Sequence, residues 1–223
     1  MQRHFDEDIR ELTEMLLRLG AMVEDAIADA IRALIDRDTD LAEKVIEQDR
    51  EIDALELEID QATLELIAMM QPTATDLRFV ATLMKVTPDL ERIGDLAQDV
   101  CERAVELNRE PPLKPLNEME TLARTAQEMV RDALDAFVNR DADLARKVIE
   151  RDDVADQLTE QSFRELLTYM AEDQNNISRA IRLTFIGKYF ERMADSATNI
   201  CEMVVYLVEA RVIKHPKLTV EDA

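Results

Sequence analysis

The stretch RDTDLAEKVIEQD at residues 37–49 decides the fold, because a near copy, RDADLARKVIERD, stands at residues 140–152. Ten of the thirteen positions are identical at an offset of 103 residues. A second pair follows in the same order: ERIGDLAQDVCE at residues 91–102 matches ERMADSATNICE at residues 191–202 in six of twelve positions. Two repeated blocks at nearly the same separation indicate that the chain arose by internal duplication.

The junction between the two copies is marked by proline. Residues 108–117 read NREPPLKPLN, with three prolines in ten positions, and proline breaks helices because it lacks a backbone donor. We therefore predict a domain at residues 1–109, a linker at 110–117, a second domain at 118–215 and a tail at 216–223.

Composition and periodicity both favour helices. The chain has three glycines, no tryptophan and only 4% aromatic residues, whereas sheet proteins need turn glycines and favour aromatic residues. Apolar residues recur at spacings of three and four, which is typical of helices. The predicted fold is all-α, with two tandem antiparallel three-helix bundles that each bury a core of their own. The predicted helices cover roughly residues 4–36, 40–70, 73–107, 116–139, 142–172 and 175–211.

Net charge limits the possible partners. The chain carries 49 acidic and 27 basic residues, a formal charge of −22, so nucleic acid and anionic membrane surfaces would be repelled. The start lacks the apolar segment of an export signal, and the longest apolar run, residues 203–208, is far too short to span a membrane. We expect a cytoplasmic protein with no direct membrane insertion.

Several enzyme chemistries are disfavoured. The only histidines are His4 and His215, and no Cys-x-x-Cys pair is present, which disfavours Cys/His zinc sites and histidine-dependent hydrolases. Cys101 and Cys201 occupy equivalent positions in the two copies and are interpreted as small buried apolar residues. We predict that the protein is not an enzyme.

Acidic residues recur at helical spacing on the third helix, and the sixth helix repeats part of the pattern. At 100° per residue they fall opposite the apolar seam, which predicts one stripe on the outer face. The second and fifth helices carry further aspartates beside their seams. The candidate metal ligands are Glu91, Asp95, Asp99, Glu191, Asp195, Asp49, Asp53, Asp152 and Asp156.

Stacked carboxylates have two interpretations. Like charges four residues apart destabilise a helix slightly, and hard cations that prefer oxygen ligands would offset this cost. Iron, Mg²⁺, Mn²⁺, Ca²⁺ or Zn²⁺ all remain open. The alternative is an ordinary solvated face, because acidic residues are so numerous here. Asn199 replaces the acid found at Asp99, which weakens the second site.

The sequence resembles the PhoU family. The resemblance is carried by LERIGD at residues 90–95, its counterpart at 190–195, QPTATDLR at 71–78 and the two RDxDLAxKVIExD blocks. It implies two three-helix PhoU domains and a cytoplasmic negative regulator of phosphate uptake and of the phosphate-starvation response. The implied partners are the ATPase subunit of the phosphate ABC transporter and a phosphate-sensing histidine kinase. The resemblance also implies metal clusters on surface E(D)xxxD motifs.

Three functions therefore remain open. The first is a regulatory binding protein, which we also expect to form a homodimer. The second is a metal-handling protein that uses the carboxylates as a cation site. The third is a purely structural helical repeat similar to a spectrin repeat, which would not need matched carboxylates.

Overall fold

The computed structural model describes residues 2–70 and 74–213, and this part of the chain is helical without any strand. The all-α prediction is confirmed, and the predicted bounds agree with the observed ones to within a few residues. A short 3₁₀ turn at Gln174–Asn176 precedes the last helix. The helices are α1 Gln2–Asp36, α2 Thr39–Met70, α3 Ala74–Asn108, α4 Asn117–Asn139, α5 Ala142–Glu172 and α6 Ile177–Glu209.

The repeated RDxD motif forms the same tight turn in both halves. Arg37 and Arg140 adopt left-handed backbone conformations, with φ of 58° and 52°, and such a residue commonly ends a helix. The aspartate that follows caps the next helix: Asp38 accepts a hydrogen bond from the backbone N–H of Leu41, and Asp141 accepts from that of Leu144. The motif thus encodes the reversal between the first two helices of each bundle.

The two bundles share one core. Helices α1–α3 pack together, as do α4–α6, and α3 also packs along α6 while α1 touches α4. The prediction of two separate cores is wrong, because α3 and α6 bury side chains beyond the predicted seam. Leu96 on α3 and Ser196 on α6, at equivalent positions beside the seam, are both 2% exposed. The buried apolar residues form a single cluster that crosses both bundles.

Helices α3 and α6 run antiparallel, as ion pairs and hydrogen bonds at their ends show. Near the start of α3, Arg78 donates to the carbonyl of Leu207 at 3.4 Å. Near the start of α6, Arg182 binds the carboxylates of Glu106 at 2.8 Å and Glu110 at 3.0 Å. The start of each helix therefore meets the end of the other, which relates the two bundles by an approximate two-fold axis.

The proline-rich connection is held in place by arginines. Arg37 donates to the carbonyls of Leu107 and Glu110 at 3.0 and 2.6 Å, and Arg179 donates to that of Pro111 at 3.0 Å. Lys114, only 8% exposed, binds the carboxylates of Glu118 and Glu165. The predicted domain bounds stay a prediction, and the tail at 216–223 lies outside the described residues.

We predict that Gly187→Ala stabilises the protein. An added Cβ at Gly187 would lie 3.5 Å from Met119 and 3.9 Å from Leu122, which is ordinary contact. Alanine is preferred to glycine inside a helix by about 0.5–1 kcal/mol. Urea denaturation should therefore show the free energy of unfolding rising by about that amount.

Gly94→Ala is the matched control. Its added Cβ would lie 3.1 Å from two carbons of Ile52, so the same gain in helix propensity is offset by crowding. Equal gains from both substitutions would contradict this account of the packing.

Candidate metal centre

Three aspartates form the most concentrated group of carboxylates among the described residues. Asp49 and Asp53 lie one turn apart on α2, and Asp95 faces them from α3. One carboxylate oxygen from each lies within 4.8 Å of the others. We call these three residues the aspartate cluster. Carboxylate oxygens at such separations are the ligand set that hard divalent and trivalent cations prefer.

Asp49 is the unusual member of the cluster. Its side chain is only 7% exposed, and its buried Oδ1 atom has no hydrogen-bond donor. Buried polar atoms are almost always satisfied, so an orphaned carboxylate oxygen requires an explanation. Burial, followed by the negative charges of Asp53 and Asp95, raises the pKa of Asp49 to about 6. A cation bound beside Oδ1 would supply the missing partner.

Glycine leaves room beside this carboxylate. Gly94 on α3 faces Ile52 and Asp49, and a Cβ at Gly94 would lie 3.4 Å from Asp49 Oδ1. A small cavity of about 100 Å³ adjoins the same atoms and is also lined by Asp25 and Asp29 of α1. The geometry therefore allows a small ion, but not a large ligand, to approach the buried oxygen.

Two further predicted ligands flank the cluster on α3. Burial, then the charge of Asp95, raises the pKa of Glu91 to about 7. Burial also raises the pKa of Asp95 and of Asp99. Glu56 on α2 was not predicted as a ligand, yet burial and nearby carboxylates raise its pKa as well. The sequence signal that could have identified Glu56 is its position three residues after Asp53, which places both on the same side of α2.

The predicted single stripe on α3 is wrong, because α6 covers part of the face that was expected to meet solvent. Glu106 binds Arg103 at 2.7 Å and Arg182 at 2.8 Å, and the hydrogen bond from Arg182 is the main cause of its lowered pKa. Glu102 lies 3.4 Å from Arg103. These two carboxylates stabilise the junction between the bundles, while Glu91 and Asp95 face α2.

The second bundle gathers its acids less tightly. Asp152 and Asp156 on α5 and Asp195 on α6 occupy the equivalent positions, but among residues 2–70 and 74–213 only the first bundle brings three carboxylates within 4.8 Å. Burial, followed by the charge of Asp195, raises the pKa of Asp152 to about 6. Lys188 binds Glu191 at 2.5 Å, which neutralises a ligand that the sequence analysis predicted.

The cysteines behave as predicted. Cys101 and Cys201 are fully buried and free. Burial raises the pKa of each thiol to about 12, so neither is a thiolate ligand at neutral pH.

The fold and the site together define a class of protein: two tandem three-helix bundles with carboxylates gathered between the second and third helix of each repeat. The described part of the chain holds no helix with the length and apolarity needed to cross a bilayer. The profile of the family described as "PhoU domain" matches residues 16–104 and again residues 119–204. The chain belongs to the PhoU family.

Similar proteins match over nearly the whole chain. The phosphate-specific transport system accessory protein PhoU homolog of Aquifex aeolicus is 42% identical over 94% of this chain and 95% of its own length. The phosphate-specific transport system accessory protein PhoU of Escherichia coli K12 is 37% identical over 95% of this chain and 88% of its own.

Solved structures agree with the fold. The crystal structure of PhoU from Pseudomonas aeruginosa superposes with a TM-score of 0.91 at 39% identity, covering 93% of this chain and all of that one. The phosphate transport system regulatory protein PhoU from Streptococcus pneumoniae gives a TM-score of 0.87 at 28% identity, covering 94% of this chain and 99% of its own.

We predict that the protein without added metal becomes more stable as the pH falls from 8 to 5. A carboxyl whose pKa is raised on folding binds more protons in the folded state, so its stabilising contribution is present at low pH and is lost as pH rises through the folded pKa. Asp49 and Asp152, with pKa values of about 6, and Glu91, at about 7, place that loss in this window. Thermal unfolding in the presence of a chelator measures the slope.

Substitutions identify the carboxyl groups that cause this pH dependence of stability. Asp49→Asn and Glu91→Gln should each flatten the slope. The pKa of Glu118 is lowered by its backbone hydrogen bond and by Lys114, so its contribution is lost only at lower pH and Glu118→Gln should leave the slope unchanged. A melting temperature that falls steadily from pH 8 to pH 5 in the parent protein would contradict the prediction.

Proposed function

We propose that the protein is a cytoplasmic negative regulator of phosphate uptake and of the phosphate-starvation response. It would act by binding the ATPase subunit of the phosphate ABC transporter and a phosphate-sensing histidine kinase. The observation that carries the proposal is the match of both repeats, over nearly the full chain, to proteins named as accessory proteins of phosphate-specific transport.

The structure supports action by binding rather than by catalysis. The continuous core and the pinned connection make a stiff body with long exposed helical flanks, which suits docking. Neither histidine of the sequence, His4 or His215, is among the described residues that form the carboxylate cluster or line its cavity, so no proton carrier of this kind is shown there. The homodimer predicted from the sequence stays a prediction.

We also propose that the first bundle holds a hard cation as a structural element of the regulator. The residues fit such an ion, because Asp49 Oδ1 is buried without a donor and lies beside two further carboxylates. Asp49, Asp53 and Asp95 would bind it, with Glu91 and Asp99 near enough to contribute charge. When bound, the cation supplies positive charge that offsets the repulsion among these carboxylates. The buried, unsatisfied Asp49 favours this function over a purely structural helical repeat.

We expect that deletion of the gene leaves phosphate-starvation genes expressed in phosphate-rich medium, because the transporter and the kinase lose their inhibitor. A transcriptional reporter in the deletion strain and its complemented parent measures this. Full repression in the deletion strain would refute the proposed regulatory role.

We expect metal to raise the melting temperature mainly through the first bundle. An ion that binds only the folded state adds about 2.7 kcal/mol at one hundred times its dissociation constant. Asp95→Asn removes a member of the aspartate cluster and should abolish most of the rise. Asp195→Asn makes the same change at the equivalent position of the second bundle, where Lys188 already neutralises Glu191, and should have a smaller effect.

Calorimetric titration of Mn²⁺, Mg²⁺ and Fe³⁺ into the chelator-treated protein gives the affinities for both variants. Equal losses in the two variants, or no metal-dependent rise in the parent protein, would show that the cluster is a solvated acidic face.

A further inference from the structure

The second bundle carries an apolar groove between α5 and α6, and its two phenylalanines have no apolar counterpart in the first bundle. Phe163 and Leu167 are 42% and 45% exposed on α5, one turn apart. On α6, Ile177, Ile181 and Phe185 recur every four residues and are 39%, 43% and 52% exposed. Because the two helices are antiparallel and are joined by a short turn, both rows run from the Phe163–Phe185 end toward that turn.

Phe163 and Phe185 line one cavity of about 360 Å³. The cavity floor is formed by buried parts of both helices, including Ser162 and Gly187. From Ile177 to Phe185 the α6 row is about 12 Å long, at 1.5 Å per helical residue. Leu167, Ile177 and Ile181 do not line the cavity but continue the apolar surface from it toward the turn. A surface of this length matches about two turns of another helix.

Only the two phenylalanines have charged counterparts in the first bundle, because Leu64 and Leu77 stand at the positions of Leu167 and Ile177. Asp60 stands at the position of Phe163 and Lys85 at that of Phe185. The phenylalanine-lined cavity is therefore a property of the second bundle. Exposed aromatic side chains on one face mark a binding surface more often than isolated apolar residues do.

The charges beside the groove indicate its occupant. Asp156, Glu160 and Glu191 line the cavity with a single base, Lys188. Glu160 pairs with Arg164, and Glu191 pairs with Lys188. Asp156, which lies near Asp152 and Asp195, therefore makes the net charge at this end of the groove negative. The whole chain carries −22. A second copy of the chain or an anionic membrane would meet repulsion here, whereas a basic helix would be attracted.

We infer that the α5–α6 groove of the second bundle binds an amphipathic helix of a partner protein. That helix presents two or three apolar side chains to the cavity and basic side chains to the acidic end. The inference deepens the proposed function by placing one docking surface, and it rests on that function only for the statement that the protein works by binding partners.

The test uses a fluorescently labelled peptide of about 14 residues, four helical turns, built only of leucine and lysine with one leucine face. Anisotropy is measured against the full chain at about 0.15 M salt, where the screening length is about 8 Å. The groove variant is F163D/F185K, which installs the first bundle's residues and leaves the net charge unchanged. We expect it to weaken binding roughly tenfold or more, as loss of two aromatic anchors should.

The control variant is L57D/L64K. It makes the same charge-neutral change at two apolar side chains of α2 that are 66% and 52% exposed, and it should bind as the parent does. Circular dichroism verifies that both variants are folded. Equal weakening in both variants, or in neither, overturns the inference. Equal binding of a leucine–glutamate peptide overturns the basic character of the occupant.

Two further measurements test other occupants. If F163D/F185K alone converts a dimer to a monomer in sedimentation, the groove is a contact between copies and the inference is overturned. If the parent but not this variant co-sediments with anionic phospholipid vesicles, the occupant is a membrane and the inference is again overturned. If the phosphate-starvation genes stay repressed in the deletion strain while the peptide still binds through the groove, the proposed regulatory role is wrong and the inference about the groove is supported.

Discussion

The packing of α3 against α6 is the contact on which the rest of the structure depends. It joins two repeats into one body, closes the shared apolar core and covers a helix face that carries acidic residues. Arg182 makes this possible, because it neutralises Glu106 at the point where the two helices meet. Without Arg182, the carboxylate of Glu106 would be partly desolvated by α6 with no opposite charge from that helix, and only Arg103 of its own helix would remain to pair with it.

The same packing explains why the carboxylates of α3 have two different roles. Residues near its middle, such as Glu91 and Asp95, face α2, where burial and then neighbouring acids raise their pKa values. Glu106, near its end, faces bases of α6, and its pKa is lowered. One helix therefore holds a region that needs positive charge from outside and a region that is already balanced. Repulsion among carboxylates lowers stability only in the region around Glu91 and Asp95, as is common at functional sites.

Most of the fold could be predicted from the sequence, because its signals are local. The RDxD motif, the proline-rich junction and the apolar periodicity each act within one or two helical turns, and the observed helices follow them. The shared core could not be predicted, because a periodic seam shows the centre of a buried face but not its width. Leu96 lies at the margin of the α3 seam, yet it is only 2% exposed and belongs to the cluster that crosses both bundles.

The candidate site could also be predicted only in part, because helical spacing is a local signal and burial is not. The spacing of Asp49 and Asp53 placed both on one side of α2, and the repeat pointed to Asp95. Only the three-dimensional packing shows that the side chain of Asp49 is buried and that Gly94 leaves space beside its carboxylate. Likewise, Lys188 is three residues from Glu191 in the sequence, yet the pairing that neutralises this acid depends on side-chain geometry.

The approximate two-fold relation between α3 and α6 has an evolutionary consequence. A single three-helix repeat would leave the apolar margin of its third helix in water, and two identical copies could cover that margin only by pairing with each other. Fusion of the two copies through eight residues after Asn108 made the pairing permanent. Once the halves no longer had to be identical, each could change alone: one now has the more tightly clustered acids, and the other has phenylalanines at the positions of Asp60 and Lys85.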